Sequence, residues 1–469
     1  MGNPISNGTK VEFDAGGACR WQGQAKGWRR RCSRSFPISL EQIHCVCYSF
    51  ERQRDSTTSR NIRLLKRTPF DANVKGARLT RREPNEAQSA KEHTKHSVVG
   101  IFAGIGGIEQ GFRNEGHESV LLCEADARAR AVLGRRFATV PLSEDVRELK
   151  SLPECGIVTA GFPCQDLSQA GRRRGIQGPN SGLIDELLRL LKNSRPQWLV
   201  LENVPFMLSL ERGRAIERIV SKLEDMGFAW AYRTVDARAF GLPQRRRRVV
   251  ILASRQIDPR AALLGEDAGN PVPNARGTHA CGFYWTEGNT GLGWAVNSIP
   301  PLKSGSGVHI PSPPAVWFPQ RRLVAVPTIE AAERLQGFEA GWTELDNDEA
   351  KSARGRWRLV GNAVSVPFAQ WIARRLNVAE SYDDGNDEPV RLNRGWPPAA
   401  WGFEGRRGRS AVSEWPVSRP VEHLARFLGS DIVPLSRKAT SGFLSRLERS
   451  KLRYEEAFRR DLRHHISKQ

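Results

Sequence analysis

The chain has 469 residues, 39% of them hydrophobic and 26% charged, enough for two or three domains around a sizeable core. It has no apolar run long enough to span a membrane and no signal-peptide pattern, so the expected setting is the cytoplasm, with no membrane partner. A net charge of +21 exceeds what solubility needs and points to a polyanionic partner.

Residues 1–95 hold 19 Lys/Arg against 9 Asp/Glu and show neither helical nor strand period. They read as a disordered or spurious basic extension; the functional alternative is an arm that grips a nucleic-acid backbone. Four of the eight cysteines fall in the first 50 residues, but no CxxC pair exists, so no metal site is expected. From residue 98 the pattern sharpens. "VVGIFA" is an apolar run followed by "GIGG", and "IEQGFRNEG" suits a helix closed by Gly116. "SVLLCEAD", "GIVTAGFPC", "QWLVLENV" and "RRVVILAS" are further strand candidates, separated by helical stretches such as "LIDELLRLLKN" and "GRAIERIVSKLEDMG". Apolar strands alternating with helices imply a largely parallel sheet with its ligands at the carboxyl ends of the strands. Residues 255–326 break this pattern with Gly, Pro, Ser and Trp; periodicity returns at "TIEAAERLQGF", and Pro367 in "GNAVSVP" suits the first turn of a helix. The expected parts are an extension (1–95), a catalytic domain (96–254) completed by 327–377, a loop-rich segment (255–326) and an accessory tail (378–469).

Chemistry-bearing residues sit at successive strand ends. Gly104, Gly106 and Gly107 allow a tight turn and a close backbone approach to a ligand, although GxGG is not the dinucleotide spacing. Glu124 ends the second strand, where a carboxylate can accept both hydroxyls of a ribose; taken alone, a solvated strand-end acid explains it as well. Asp145 sits where a third strand should end and can take an adenine amino group. Cys164 ends the run that reads as the central strand, with Glu202 and Asn203 ending the next. A thiolate beside a carboxyl group can add to an electron-poor ring carbon, although a lone Cys is more often simply buried. In "QRRRR", alternation puts Gln244, Arg246 and Arg248 on one face.

These motifs, in this order, resemble those of the cytosine-C5 DNA methyltransferases of bacterial and phage type. The resemblance rests on "FAGIGG", Glu124, Asp145, "GFPCQ", "ENV", Gln244-x-Arg246-x-Arg248, "ERLQGF" and "GNAVSVP", and covers about residues 97–377. The chain departs from the pattern in the spacing before "RLQGF" and in Glu339, which stands where proline is usual. The resemblance implies an α/β, Rossmann-like S-adenosylmethionine-dependent methyltransferase fold with a smaller, loop-rich target-recognition domain at 255–326. It implies a cofactor lying over Phe102, Gly104, Ile105, Gly106 and Gly107, its ribose on Glu124 and its adenine on Asp145 beside Val146. Pro163 would adjoin the cofactor, and Asn362 and Val364 would close over it. A cytosine flipped out of the duplex would be attacked at C6 by Cys164, stabilised at N3 by Glu202 and contacted at O2 by Arg248, with Arg246 in the same catalytic set. Gln165, Gln244, Arg321 and Arg322 would face DNA. The implied partners are double-stranded DNA and, functionally, a cognate restriction endonuclease, with the enzyme acting as a monomer.

Three other readings compete. A tRNA-acting branch of the same family shares the catalytic motifs. A DNA-binding protein that has lost catalysis would not need Cys164, Glu202 and Gln244–Arg248 together. A nicotinamide-dependent oxidoreductase would account for the glycines but not for "GFPCQ" or "ENV".

Overall fold

The computed structural model describes residues 94–162, 182–272, 277–287, 291–303, 313–345, 353–378, 380–391 and 395–469, and two short strands near the N-terminus. The chain divides into two units, Met1–Ala87 and Gln88–Gln469. In the first, β1 (Lys10–Phe13) pairs antiparallel with β2 (Cys19–Gln22).

The second unit opens with β3 (Ser97–Ile101), α1 (Gly107–Arg113), β4 (Glu118–Cys123), α2 (Ala127–Arg136), β5 (Leu142–Ser143), β6 (Ile157–Gly161), α3 (Leu183–Lys192) and β7 (Trp198–Asn203). It continues with α4 (Arg214–Asp225), β8 (Ala229–Asp236), β9 (Arg247–Ser254) and α5 (Pro259–Leu264). Next come β10 (Cys281–Phe283), β11 (Ala295–Val296), β12 (Ala315–Phe318), β13 (Leu323–Pro327), α6 (Ile329–Leu335), α7 (Ala353–Asn362) and α8 (Val366–Arg375). The last elements are β14 (Glu388–Pro389), β15 (Ala399–Phe403), β16 (Arg406–Arg409), α9 (Leu424–Leu428), β17 (Ile432–Pro434), α10 (Arg437–Arg449) and α11 (Glu456–Lys468).

Ten strands form one sheet in the order β14–β16–β15–β8–β9–β7–β6–β3–β4–β5. All six residues of β7 are buried, as are the last four of β3, because helices cover both faces. On one face α3 and α4 supply Leu187, Leu191, Ile216 and Leu223. On the other, α1, α5 and α8 supply Phe112, Leu263 and Trp371. Only the β7–β6–β3–β4–β5 half is parallel; β9 enters antiparallel to β7, and β8, β15, β16 and β14 follow antiparallel. The expectation of a largely parallel sheet therefore holds for half of it. β9 runs antiparallel because residues 237–246 between it and β8, with one 3-10 turn at Ala237–Phe240, are too short to carry a crossover, while β14, β15 and β16 are added by the tail.

A second, five-stranded antiparallel sheet runs β11–β10–β12–β13–β17. Contacts cross two of the expected boundaries. Residues 255–272 belong with the large sheet, since Leu263 and Leu264 join its core and the Arg233 guanidinium donates to the carbonyl of Leu263 (3.3 Å). The tail 378–469 is no accessory piece: β15 pairs with β8, β17 pairs with β13, and Phe443, Phe458 and Leu462 pack on Phe283 and Trp317 of the small sheet. No helix among the described residues is long and apolar enough to cross a membrane.

Candidate active site

The parallel half of the sheet brings the motif residues to one edge, the carboxyl ends of β3, β4, β5, β6 and β7. Phe102, just past β3, has φ of 58°, a left-handed backbone that a bulky residue adopts only under constraint. Gly104 is also left-handed (φ 59°), and the space where a β-carbon would stand is open for 4 Å, so a ligand can lie against this backbone. Gly106 is the left-handed N-cap of α1. At Gly107 a β-carbon would run into the carbonyl of Val364, which is how "GNAVSVP" reaches the loop. Ile105 plays another part. Its side chain is 1% exposed among Leu122, Phe137, Phe338 and Trp342, and its carbonyl accepts from Trp342 Nε1 (2.9 Å), so it anchors the loop and leaves only backbone to face a ligand.

Glu124 follows β4 and is only partly buried. Its Oε2 accepts the N–H of Gly104 (2.8 Å) and its Oε1 the N–H of Asp126 (2.7 Å), so one carboxylate fixes the glycine loop and keeps free lone pairs for a ligand. Asp145 stands two residues past β5. The N–H of Arg147 (2.9 Å), with its guanidinium, holds the Asp145 carboxyl below its ordinary range. The Val146 side chain is in the core, 3% exposed.

On the β6–β7 side, Gly161 lacks a side chain where Glu202 Oε2, the Phe102 carbonyl and Val364 Cγ2 converge; a β-carbon there would stand 3.6, 3.9 and 3.9 Å from them. The strand ends expected to hold cofactor and base are thus adjacent. Glu202 is 8% exposed. Arg248 Nε lies 2.8 Å from Glu202 Oε1, a close ion pair whose N–H is poorly aligned for a hydrogen bond. Burial raises the Glu202 pKa, and the positive charges of Arg248 and then Arg246 oppose that rise. Asn203 donates through Nδ2 to the Phe162 carbonyl (3.4 Å) and accepts from the N–H of Val204 (2.8 Å), bracing the chain where β6 ends. Pro163, Cys164 and Gln165 lie outside the described residues.

Two residues expected at the chemistry or the DNA are enclosed instead. Gln244 is 0% exposed; Nε2 donates to the Leu335 carbonyl (2.9 Å) and Gln336 Oε1 (3.2 Å), while Oε1 accepts the N–H of Leu302 (3.1 Å). It ties "QRRRR" to "RLQGF" and has no surface to offer DNA. Arg246 is 2% exposed and donates to the carbonyls of Ala363 (2.7 Å), Gly361 (3.2 Å) and Leu302 (3.4 Å), so it fixes the chain on both sides of Asn362 and acts on Glu202 only through space. Asn362 itself is exposed at the end of α7. Gln336 completes this network, donating to the Val360 carbonyl (2.9 Å) and accepting from Ser365 Oγ (2.8 Å). The sequence reading named neither Gln336 nor Ser365 as functional, although both lie within quoted motifs. Arg321 and Arg322 are exposed on the turn between β12 and β13, and Arg322 Nε pairs with Asp461 of α11 (3.1 Å).

The description "C-5 cytosine-specific DNA methylase" belongs to a family whose profile matches residues 96–276. The chain is 44% identical to the type II methyltransferase M2.BsuMI of Bacillus subtilis (strain 168) over 374 residues, 77% of this chain and 96% of that protein. It is 33% identical to the type II methyltransferase M.MspI of Moraxella sp over 311 residues, 60% of this chain and 70% of that protein. Among solved structures, S. pombe Dnmt2 methyltransferase matches 60% of this chain and 98% of its own at 17% identity and a TM-score of 0.42. The chain belongs to the family of C-5 cytosine-specific DNA methylases and is a cytosine-C5 DNA methyltransferase.

Proposed function

We propose that the chain transfers a methyl group from S-adenosylmethionine to C5 of a cytosine flipped out of double-stranded DNA, by covalent catalysis at Cys164. The convergence of Glu202, Phe102 and Val364 around Gly161 carries this reading, because it sets a buried carboxyl beside the glycine loop. The residues present fit the cofactor: open space over Gly104, a carboxylate at Glu124 with lone pairs to spare, and Asp145 one strand further. Once bound, S-adenosylmethionine supplies an electrophilic methyl group. Glu124 would accept hydroxyls of its ribose, Asp145 would take its adenine amino group, and Val364 and Asn362 would close the site from the α7–α8 segment, with Pro163 adjoining.

For the base, the Cys164 thiolate forms a bond to C6 and electron density moves into the ring. Burial favours the protonated form of Glu202, which can hydrogen-bond N3 as that charge builds. Arg248, paired with Glu202, keeps the carboxyl in place and would contact O2 of the flipped base. C5 would then take the methyl group as its bond to the sulfonium sulfur breaks, with S-adenosylhomocysteine the leaving group; the C5 proton would leave to a base and the bond to Cys164 would break, restoring the aromatic ring and the thiolate. The small sheet and its loops serve target recognition, with Gln165, Arg321 and Arg322 on the DNA side. We place the enzyme in the cytoplasm, acting as a monomer in a type II restriction–modification setting. The test is transfer of labelled methyl to duplex DNA and to RNA by purified protein. Label in cytosine of DNA alone supports the reading; label in RNA alone overturns it.

A further inference from the structure

Helix α1 carries a carboxyl that the proposed reaction does not use. Glu109 stands in its first turn, 1% exposed. Its Oε1 accepts from the Thr159 hydroxyl of β6 (3.1 Å), and the same oxygen fills the space a β-carbon would need at Gly100 of β3. Its Oε2 is buried without a hydrogen-bond partner. One carboxyl therefore joins three elements: the strand that leads into Phe102–Gly107, the strand that leads into "GFPCQ", and the helix that starts at the glycine loop.

No cation faces this carboxyl among the described residues. β3 presents Gly100 and β6 presents Thr159. Where α8 meets α1 at Gly111 it presents Ala369 and backbone, and its Arg374 is engaged with Glu115 at the far end of α1. His117, before β4, stacks with His96. The charge that acts on Glu109 is Glu124, and it is negative. Burial pushes the Glu109 pKa up to about 7. A carboxylate that has only its own backbone N–H and one hydroxyl to favour its charge, with an unpaired oxygen and a like charge nearby, is unfavourable in such a place.

We propose that protonated Glu109 is a positioning residue, a neutral strut that holds the cofactor loop after β3 in register with the strand leading to Cys164. The proposal rests on the reading that residues 102–107 hold S-adenosylmethionine. Loss of the proton puts a second negative charge behind Glu124, the group that fixes the N–H of Gly104, and loosens the loop's hold on the cofactor.

The test is calorimetric binding of S-adenosylhomocysteine between pH 6 and 8.5, with thermal unfolding of the cofactor-free protein over the same range. Wild-type affinity should fall severalfold as pH rises through about 7, the value to which burial pushes Glu109. Glu109→Gln should bind as the wild type does at low pH and show no such fall. Thr159→Val keeps the carboxyl but removes one of the two donors that favour its charged form, the other being the Glu109 backbone N–H, so the fall should move to higher pH. The unfolding temperature of the wild type should drop relative to Glu109→Gln as pH rises. The same pH slopes in wild type and Glu109→Gln, or an unmoved midpoint in Thr159→Val, would overturn the strut. If no form binds the nucleoside at any pH, the cofactor reading fails, and the unfolding comparison still decides the strut.

Discussion

Arg248 of β9 sets its guanidinium 2.8 Å from the carboxyl of Glu202 on β7, and the register that pairs Glu202 with Val250 puts both side chains on one face of the sheet. The pair opposes two tendencies: burial favours neutral Glu202, while Arg248 favours the anion. Glu202→Gln keeps the shape but removes the acid. Methyl transfer in a single turnover should fall by at least ~100-fold, with cofactor affinity unchanged, as expected for loss of a general acid.

Arg248→Ala removes the charge that lowers the Glu202 pKa, so that pKa should rise further. Residual activity should then persist to higher pH than in the wild type, at a rate lower by roughly 100-fold. A pH–rate profile of the variant checks the sign; an alkaline limb that moves to lower pH would contradict it.

Gln244 and Arg246 are buried cross-links between motifs, so their variants should fail in stability. Arg246→Met strands the carbonyls of Ala363, Gly361 and Leu302. A loss of about 3 kcal/mol is expected, within the range for breaking a buried charged hydrogen-bond set. Denaturant unfolding measures it. The salt dependence of DNA binding should stay the same, because no phosphate contact is lost.

The two glycines of the cofactor loop should respond differently. At Gly107 a β-carbon meets the Val364 carbonyl, so Gly107→Ala should destabilise the protein as well as weaken cofactor binding. At Gly104 nothing lies within 4 Å, and Gly104→Ala should cost only about 1 kcal/mol of left-handed strain. Gly104→Val should keep the fold and lose cofactor affinity. Calorimetry and unfolding on the same samples separate the cases.

Truncation tests the tail. Ending the chain at residue 377 removes β15 from β8, β17 from β13, and Phe443 and Phe458 from the small-sheet core. The product should be insoluble. Removing residues 1–90 should leave methyl transfer in place.

The parallel half of the fold could be read because its strands end in recognisable chemistry: Glu124, Asp145, "GFPC" and "ENV" each mark a carboxyl end. β8 escaped notice. "AWAYRTVD" is buried along nearly its whole length and includes Arg233 and Asp236, so it shows neither alternation nor a clean apolar run. The tail strands escaped because β14, β16 and β17 are two to four residues long and take their meaning from distant partners. Gln244 and Arg246 lay on the expected face, but burial is a tertiary property. Nothing in "QRRRR" reveals that the carbonyls of Leu335, Gly361 and Ala363 wait above it. Glu109 gave no sequence signal at all; an acid in the first turn of a helix ordinarily faces solvent.

Covalent methylation of cytosine at Cys164 is tested most directly by bisulfite sequencing. DNA would be taken from a methylation-free bacterium expressing either the wild type or Cys164→Ala. We predict protected cytosines in one repeated short context with the wild type and none with the variant, both proteins being soluble. Equal protection by the two proteins would contradict the account.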